Sequence, residues 1–154
     1  MTKQEKYEEV LPQVVTMIEG ESNAVSVMAN VAAMLHEAFG WWWTGFYTVN
    51  GDRLELGPFQ GPVACYRIKR GRGVCGTAWE RDMTVIVPDV EQFPGHIACS
   101  SLSRSEIVVP VHDSDGNVVA VLDIDSRELN TYDETDKIYL EKIAKALSKT
   151  VVWR

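Results

Sequence analysis

Residues 105–126, SEIVVPVHDSDGNVVAVLDIDS, predict the β-hairpin around which the fold is organised. Ile107, Val109 and Val111 stand at alternate positions before the polar turn dipeptide Asp115-Gly116, and residues 118–124 follow as a second strand-like stretch. Alternation with period two is typical of a strand that buries one face, and Asp-Gly favours a tight hairpin turn. The stretch therefore predicts two antiparallel strands joined by a short loop.

The register of this hairpin follows from its turn. If Asp115-Gly116 is a two-residue loop, counting back along both strands places Glu106 opposite Asp125, and Val108 opposite Asp123. A bulge at Pro110 would shift this pairing by one residue. Directly opposed residues share a face of a sheet, as do residues two apart, so three carboxylates are expected together on one face. The opposite face is expected to carry Ile107, Val109, Leu122 and Ile124.

Two helices are predicted ahead of any strand. Thr2 and Glu5 have the spacing of a capping box, and apolar residues follow at helical intervals as far as Gly20. Ser22 is the expected cap of a second helix, which Gly40 ends. Aromatic and β-branched residues at 41–49, the turn at 50–51 and alternation at 54–56 then predict a hairpin.

The remainder of the chain completes an α+β domain. Residues 57–95 are rich in Gly and Pro, with short strands expected at 66–68 and 85–87 and a helical turn near 77–81. Thr131 and Glu134 form a second expected capping box, and an apolar stripe after it predicts a closing helix. This order indicates an antiparallel sheet with helices packed on it.

Composition limits the classes of partner. At 154 residues and 45% hydrophobic, the chain suits one domain with one sizeable core. The net charge of −7 opposes binding to nucleic acid or to an anionic membrane surface. No apolar run approaches the roughly 20 residues that span a bilayer, so we expect a soluble cytoplasmic protein.

The carboxylates of Glu106, Asp123 and Asp125 have two interpretations. Acidic residues near strand ends are often solvated edge charges. Alternatively, clustered carboxylates raise one another's pKa, so that one holds a proton near neutral pH while the others stay anionic. Such a cluster could act as an acid and bind an ammonium group, which suits a small zwitterionic ligand.

Cys65, Cys75 and Cys99 leave three possibilities open: metal binding, thiol catalysis and inert packing. Together with His96 they could supply four zinc ligands, but their spacing lacks the close Cys-x-x-Cys pairs of strong zinc motifs. Cys99 lies in a polar loop with His96 and Arg104 nearby, whereas Cys75 sits at a possible helix start. Spacing does not rank the three thiols.

Trp43 and Tyr47 share parity along the first predicted strand, so both could line one wall of a pocket. A Trp side chain can stack on the methyl group of a thioether or a sulfoxide. An aromatic run of this kind is also common in ordinary packing.

Six motifs in order carry a resemblance that covers nearly the whole chain. They are GFY at 45–47, LGPFQG at 56–61, GRGVCGTA at 71–78, GHIAC at 95–99, SEIVVP at 105–110 and VLDIDS at 121–126. Together they resemble the GAF-domain free methionine-(R)-sulfoxide reductases. The resemblance implies a single GAF domain over residues 1–154, with a sheet of about six antiparallel strands and helices at both ends of the chain packed on it.

The resemblance also implies roles for individual residues. Cys99 is expected to be the catalytic thiol, Cys65 the resolving cysteine and Cys75 an auxiliary one. The acidic residues Glu106, Asp123 and Asp125 are expected to bind the substrate amine and to protonate the sulfoxide oxygen, beside an aromatic wall formed by Trp43 and Tyr47.

The activity implied is reduction of free L-methionine-(R)-sulfoxide through a sulfenic acid and a disulfide, with thioredoxin as the external reductant. No metal or organic cofactor is expected, and relatives suggest a homodimer. The alternatives are a GAF-type module that senses a small ligand or oxidation, and an interaction protein with inert cysteines.

Overall fold

The computed structural model describes residues 1–96 and 102–153. The helices are α1 (Lys3–Ile18), α2 (Ala24–Phe39), α3 (Gly73–Arg81) and α4 (Glu134–Thr150). The strands are β1 (Trp43–Asn50), β2 (Arg53–Gln60), β3 (Arg67–Lys69), β4 (Val85–Val87), β5 (Ser105–His112) and β6 (Val118–Ser126), with a 3-10 turn at Val90–Gln92. Within the described residues, no helix is long and apolar enough to cross a membrane.

The strands form one six-stranded antiparallel sheet in the order β3-β2-β1-β6-β5-β4. Helices α1, α2 and α4 cover one face of this sheet, and their apolar residues pack with Ile107, Leu122 and Ile124 in the larger core. Helix α3 packs on the other face, where a second core contains Val108 and Val121. The predicted α+β architecture is confirmed.

The central hairpin has the predicted register but not the predicted turn. Glu106 pairs with Asp125 and Val108 with Asp123. The prediction of a two-residue loop is wrong. The N–H of Asp113 donates to the carbonyl of Asn117 at 2.9 Å, and this hydrogen bond closes a longer loop. The carboxylate of Asp113 accepts from the N–H groups of Asp115 and Asn117, which stabilises that loop.

A register shift between Val111 and His112 offsets the longer loop. The bulge considered at Pro110 is therefore wrong in position. Pro110 pairs with Val121 and lies beyond the part of β5 that β4 covers, so its missing N–H costs the sheet no hydrogen bond on that side. Because the shift lies near the loop, the pairing at the far end of the hairpin is the predicted one.

Two helix starts differ from the prediction. Asn23, rather than Ser22, caps α2 and accepts from the N–H of Ser26 at 3.1 Å. The capping box of α4 is formed by Asp133 and Asp136 instead of Thr131 and Glu134. The expected capping box of α1 and the end of α2 at Gly40, which has a left-handed backbone, are confirmed.

The segment between the hairpins is more regular than its sequence indicates. The predicted helical turn at 77–81 begins four residues earlier, as α3. Gly76 allows this helix to approach β3 closely, since a Cβ there would lie 2.5 Å from the carbonyl oxygen of Lys69. The longer helix brings Cys75 beneath the sheet face that carries the carboxylates.

Asp136 joins the two ends of the chain. Its fully buried carboxylate accepts from the Tyr7 hydroxyl and from Lys3 Nζ, each at 2.6 Å. Burial, followed by the charge of Asp136, raises the pKa of Tyr7 far above its ordinary value. These contacts fix α1 against α4 on the face of the sheet remote from the carboxylate cluster.

Candidate active site

A small cavity opens at the face of the sheet that α3 covers, where β1, β5 and β6 meet. Its volume is about 60 Å³. It is lined by aromatic residues, by the start of α3 and by carboxylates, namely Trp42, Trp43, Tyr47, Val63, Ala64, Ile68, Arg72, Gly73, Val74, Cys75, His96, Ser103, Glu106, Asp123 and Asp125. Among the described residues the cavity thus collects all three predicted carboxylates and both predicted aromatic residues.

The three carboxylates are not solvated edge charges. Glu106 is 6% exposed and Asp123 is 5% exposed, whereas Asp125 is partly buried and accepts from the Ser103 hydroxyl at 3.2 Å. Burial is the main cause that raises the pKa of each carboxyl group, and the charge of Asp123 adds to the rise at Glu106 and Asp125. The cluster can therefore hold protons at a pH where an exposed carboxyl group is ionised.

One oxygen of the cluster stands out. Oδ1 of Asp123 is buried and has no hydrogen-bond partner among the described residues. Within residues 1–96 and 102–153, no Lys or Arg side chain forms an ion pair with Glu106, Asp123 or Asp125. The site is consequently poised to accept a cation or a hydrogen-bond donor from a ligand.

Cys75 lies against the carboxylate cluster. Its Sγ is 4.0 Å from Oε2 of Glu106, and it carries a free, buried thiol. Burial and then the charges of Asp123 and Glu106 raise the pKa of this thiol well above its ordinary value. A thiol held protonated is a poor nucleophile, so Cys75 does not have the environment of an attacking cysteine.

The two pocket aromatics also fasten the segment that carries Cys65. Trp43 Nε1 donates to the carbonyl of Pro62 at 3.0 Å, and the Tyr47 hydroxyl donates to the carbonyl of Cys65 at 2.9 Å. Their rings stack with centroids 6.0 Å apart. Burial is the largest cause that raises the pKa of Tyr47, so its hydroxyl remains a donor. Side-chain parity predicted the wall but gave no sign of these two hydrogen bonds.

Cys65 is partly buried and disulfide-bonded. Cys99, the predicted nucleophile, lies outside the described residues, as do its neighbours from 97 to 101. His96 lines the cavity; burial lowers its pKa, and the charge of Asp123 acts in the opposite direction. Because Cys99 lies outside the described residues, the combination of Cys65, Cys75, His96 and Cys99 as four zinc ligands stays a prediction.

The start of α3 supplies positive potential that the sequence analysis missed. Arg72 is the N-cap residue, and in the described structure its side chain makes no capping hydrogen bond. The first N–H groups of a helix have no acceptor within it, and those of Gly73, Val74 and Cys75 begin this one beside the cavity. The sequence signal was Gly71-Arg72-Gly73, which leads directly into the helix. The cavity has an acidic side and a side suited to an anion.

Comparison with known proteins places this geometry in a family. The model of the GAF domain matches residues 22–151. GAF domain-containing protein A of Dictyostelium discoideum is 56% identical over 95% of this chain and 92% of that protein. The free methionine-R-sulfoxide reductase of Saccharomyces cerevisiae is 40% identical over 100% of this chain and 90% of that enzyme.

A solved structure agrees with both relatives. The free methionine-R-sulfoxide reductase of Neisseria meningitidis, determined in complex with its substrate, has a TM-score of 0.95 to this chain at 55% identity. The alignment covers 97% of this chain and 90% of that one. The chain belongs to the GAF-domain free methionine-R-sulfoxide reductase family. As a member of this family it is an oxidoreductase.

Relatives of this chain are reductases, so the carboxylates that line the cavity are candidates for catalysis as well as for packing. The predicted site residues that the structure describes lie around one cavity or, for Cys65, on the segment beside it.

Proposed function

We propose that this chain reduces free L-methionine-(R)-sulfoxide to L-methionine. The observation that carries the proposal is a cluster of three carboxylates that has no ion-pair partner among the described residues. It lies in the pocket of a protein that is 55% identical to a reductase solved with its substrate. The chemistry needs an acid, an attacking thiol and a second thiol. The pocket offers the acid, and the cysteines offer the thiols.

The substrate is held by its two charged ends. The carboxylates of Asp123 and Asp125 bind the ammonium group, and Arg72 with the N–H groups at the start of α3 binds the carboxylate group. Trp43 contacts the methyl group on sulfur. A methionine sulfoxide within a polypeptide has neither charged end, so this pocket rejects it by leaving buried polar groups unpaired.

Reduction proceeds by transfer of the sulfoxide oxygen to Cys99. The Cys99 thiolate attacks the sulfoxide sulfur while a carboxylic acid of the cluster, which we assign to Glu106, protonates the oxygen. The protonated oxygen then moves from the substrate sulfur to Sγ of Cys99: an Sγ–O bond forms while the S–O bond and the transient S–S bond break. Methionine leaves with the electron pair, and Cys99 is left as a sulfenic acid. The Cys65 thiol condenses with the sulfenic acid, which forms a disulfide and releases water. Thioredoxin supplies the two electrons that reopen the disulfide.

Trp43 and Tyr47 have a second role in this scheme. Their hydrogen bonds to the carbonyl groups of Pro62 and Cys65 hold the resolving cysteine next to the pocket. Cys65 is disulfide-bonded, which supports it as the resolving residue. Cys75 has a free thiol whose pKa is raised by burial, which supports an auxiliary role for it. No metal or organic cofactor enters the cycle.

The cellular setting is proposed on the same basis. A thioredoxin-dependent thiol cycle requires a reducing compartment, which suits the cytoplasm. We further propose that the protein acts as a homodimer. Sedimentation of the purified protein at micromolar concentration tests the dimer independently of activity, and a monomer would refute that part of the proposal.

A thioredoxin-coupled assay tests the central claim. Free L-methionine-(R)-sulfoxide should be turned over, whereas the S epimer and a peptide-bound sulfoxide should react at least about 100-fold more slowly. Cys99→Ser should abolish turnover even with a chemical dithiol. Cys65→Ser should release one methionine per protein and then stop with thioredoxin, because the sulfenic acid has no resolving thiol. Equal rates on free and peptide-bound substrate would overturn the proposed pocket.

A further inference from the structure

We propose that the protein binds one Zn²⁺ ion through the Cys75 thiolate and one carboxylate oxygen each from Glu106 and Asp123. The potential ligand atoms of these three side chains lie within 4.8 Å of one another, and all three residues are buried. The set is distinct from the Cys65–Cys75–His96–Cys99 combination that the sequence offers. Thiolate and carboxylate are both established zinc ligands.

The spacing suits a tetrahedral ion. Zn–S and Zn–O bonds of about 2.3 and 2.1 Å place sulfur and oxygen roughly 3.6 Å apart around one metal. The Cys75 Sγ and Glu106 Oε2 atoms are 4.0 Å apart, so they need to close by only a few tenths of an ångström. Rotation about the side-chain torsions of Cys75 and Glu106 can supply a movement of that size.

An independent observation also indicates a ligand at this place. Asp123 is 5% exposed, lines the cavity, and has an oxygen, Oδ1, without a partner among the described residues. A buried carboxylate oxygen left without a partner is costly, and coordination to a metal removes that cost. Three ionised ligands would carry a charge of −3, and a divalent ion reduces the repulsion among them.

The cavity has room for a metal ion. Its volume of about 60 Å³ accommodates a metal ion with one or two bound waters. The three protein ligands leave one tetrahedral position open for such a water. Mg²⁺ and Ca²⁺ prefer sites made entirely of oxygen, so the thiol selects zinc over them. Binding expels the Cys75 proton into solvent, because the thiolate is the ligand.

Zinc bound here would obstruct the carboxylates to which we assign the substrate ammonium group. Inhibition of turnover by Zn²⁺ thus rests on the proposed function, whereas binding of the ion does not. Direct measurement of binding keeps the two apart: a protein that binds zinc but never reduces sulfoxide would contradict only the proposed function.

Zinc binding is tested with the double variant Cys65→Ser/Cys99→Ser, in which Cys75 is the remaining cysteine. Titration with Zn²⁺ against a chromogenic chelator should give one ion per chain. With Co²⁺ as the probe, the same protein should show a thiolate-to-metal charge-transfer band and the visible absorption of a tetrahedral ion. X-ray absorption of the zinc form should give one sulfur and the remainder oxygen or nitrogen.

Two further substitutions in that background locate the ion. Adding Cys75→Ser should abolish the charge-transfer band and weaken Zn²⁺ binding by more than about 100-fold, since loss of a direct ligand exceeds loss of an outer-shell partner. Adding Asp123→Asn should weaken binding while leaving the band. Circular dichroism checks that each variant is folded. The proposal is overturned if the double variant shows no band, or if its zinc affinity is unaffected by both substitutions.

Discussion

Replacing Glu106 by Gln should stabilise the fold and, at the same time, remove most of the activity. Glu106 is a buried carboxyl group whose pKa is raised well above its ordinary value of about 4.5, first by burial and then by the charges of Asp123 and Asp125. Gln has the same shape and no charge. Its amide can donate to the Asp123 oxygen that has no partner among the described residues.

The sign of the effect follows from proton linkage. A carboxyl group with a raised pKa in the folded state keeps its proton to higher pH than the unfolded chain does. Ionisation of this carboxyl group destabilises the folded state. The loss of stability is absent below about pH 4.5, grows as the pH rises above that value, and is complete above the folded-state pKa. Each unit of pKa shift corresponds to about 1.4 kcal/mol. Wild-type stability should therefore fall more steeply than that of Glu106→Gln between pH 5 and 8.

We expect a gain of about 1–2 kcal/mol in the free energy of unfolding at pH 8 for Glu106→Gln, which is within the usual range for a single substitution that removes a buried charge. For a chain of this size that gain raises Tm by roughly 2–8 °C. Near pH 4.5 the two proteins should melt at similar temperatures. If Glu106 is the proton donor, kcat/KM should fall by about 10²- to 10⁴-fold.

Calorimetry or thermal circular dichroism from pH 4.5 to 8, with the fully reduced protein, measures the stability change. Glu21→Gln is the matched control, because Glu21 is an exposed acidic residue and its substitution should leave the melting profile nearly unchanged. The thioredoxin-coupled assay measures activity on the same samples. A lower Tm for Glu106→Gln at pH 8, or a difference that does not depend on pH, would contradict a destabilising charge on Glu106 in the folded protein.

Three other substitutions test separate parts of the structure. Tyr47→Phe removes the 2.9 Å hydrogen bond to the Cys65 carbonyl and should slow disulfide formation by about 5- to 10-fold. Rapid-quench thiol labelling measures that rate, and the first release of methionine should change less. Gly45→Ala places a Cβ 2.3 Å from a side-chain atom of β2 and should cost about 1–3 kcal/mol in thermal melts; an unchanged Tm would contradict this close contact. Tyr7→Phe deprives the Asp136 carboxylate of a donor at 2.6 Å and should lower the urea midpoint by an amount equivalent to about 1.5–3 kcal/mol, with the slope unchanged.

Much of the site could be predicted from strand geometry. The pairing of Glu106 with Asp125 and the shared face of the three carboxylates came from alternation and a turn signal, and the structure has both. The prediction succeeded although the turn was wrong. The shift at Val111 and His112 offsets the longer loop, so two local errors cancelled before the site was reached.

Helix starts were predicted less well, because several polar residues compete at each one. Ser22 and Asn23 are both good caps, and only the folded chain shows that Asn23 is the residue that caps α2. Thr131 was a reasonable cap for α4, but its hydroxyl donates to Ser126 Oγ at 2.6 Å instead. Contacts with a strand thus decided which residue capped the helix.

By itself, the sequence determined the alternation of the strands, the faces to which side chains belong, and the motifs that carry the family resemblance. These properties are local, since a period of two and a turn dipeptide act within a few residues. The burial of Glu106 and Asp123, and the position of the Cys75 thiol beside Glu106, appear only in the folded protein. The same holds for the hydrogen bonds by which Trp43 and Tyr47 hold the Cys65 segment. Those properties depend on packing α3 and residues 62–65 across the sheet, and the contacts join residues far apart along the chain. Burial sets the energetic cost of each charge, so the chemistry of the pocket emerges only when those segments come together.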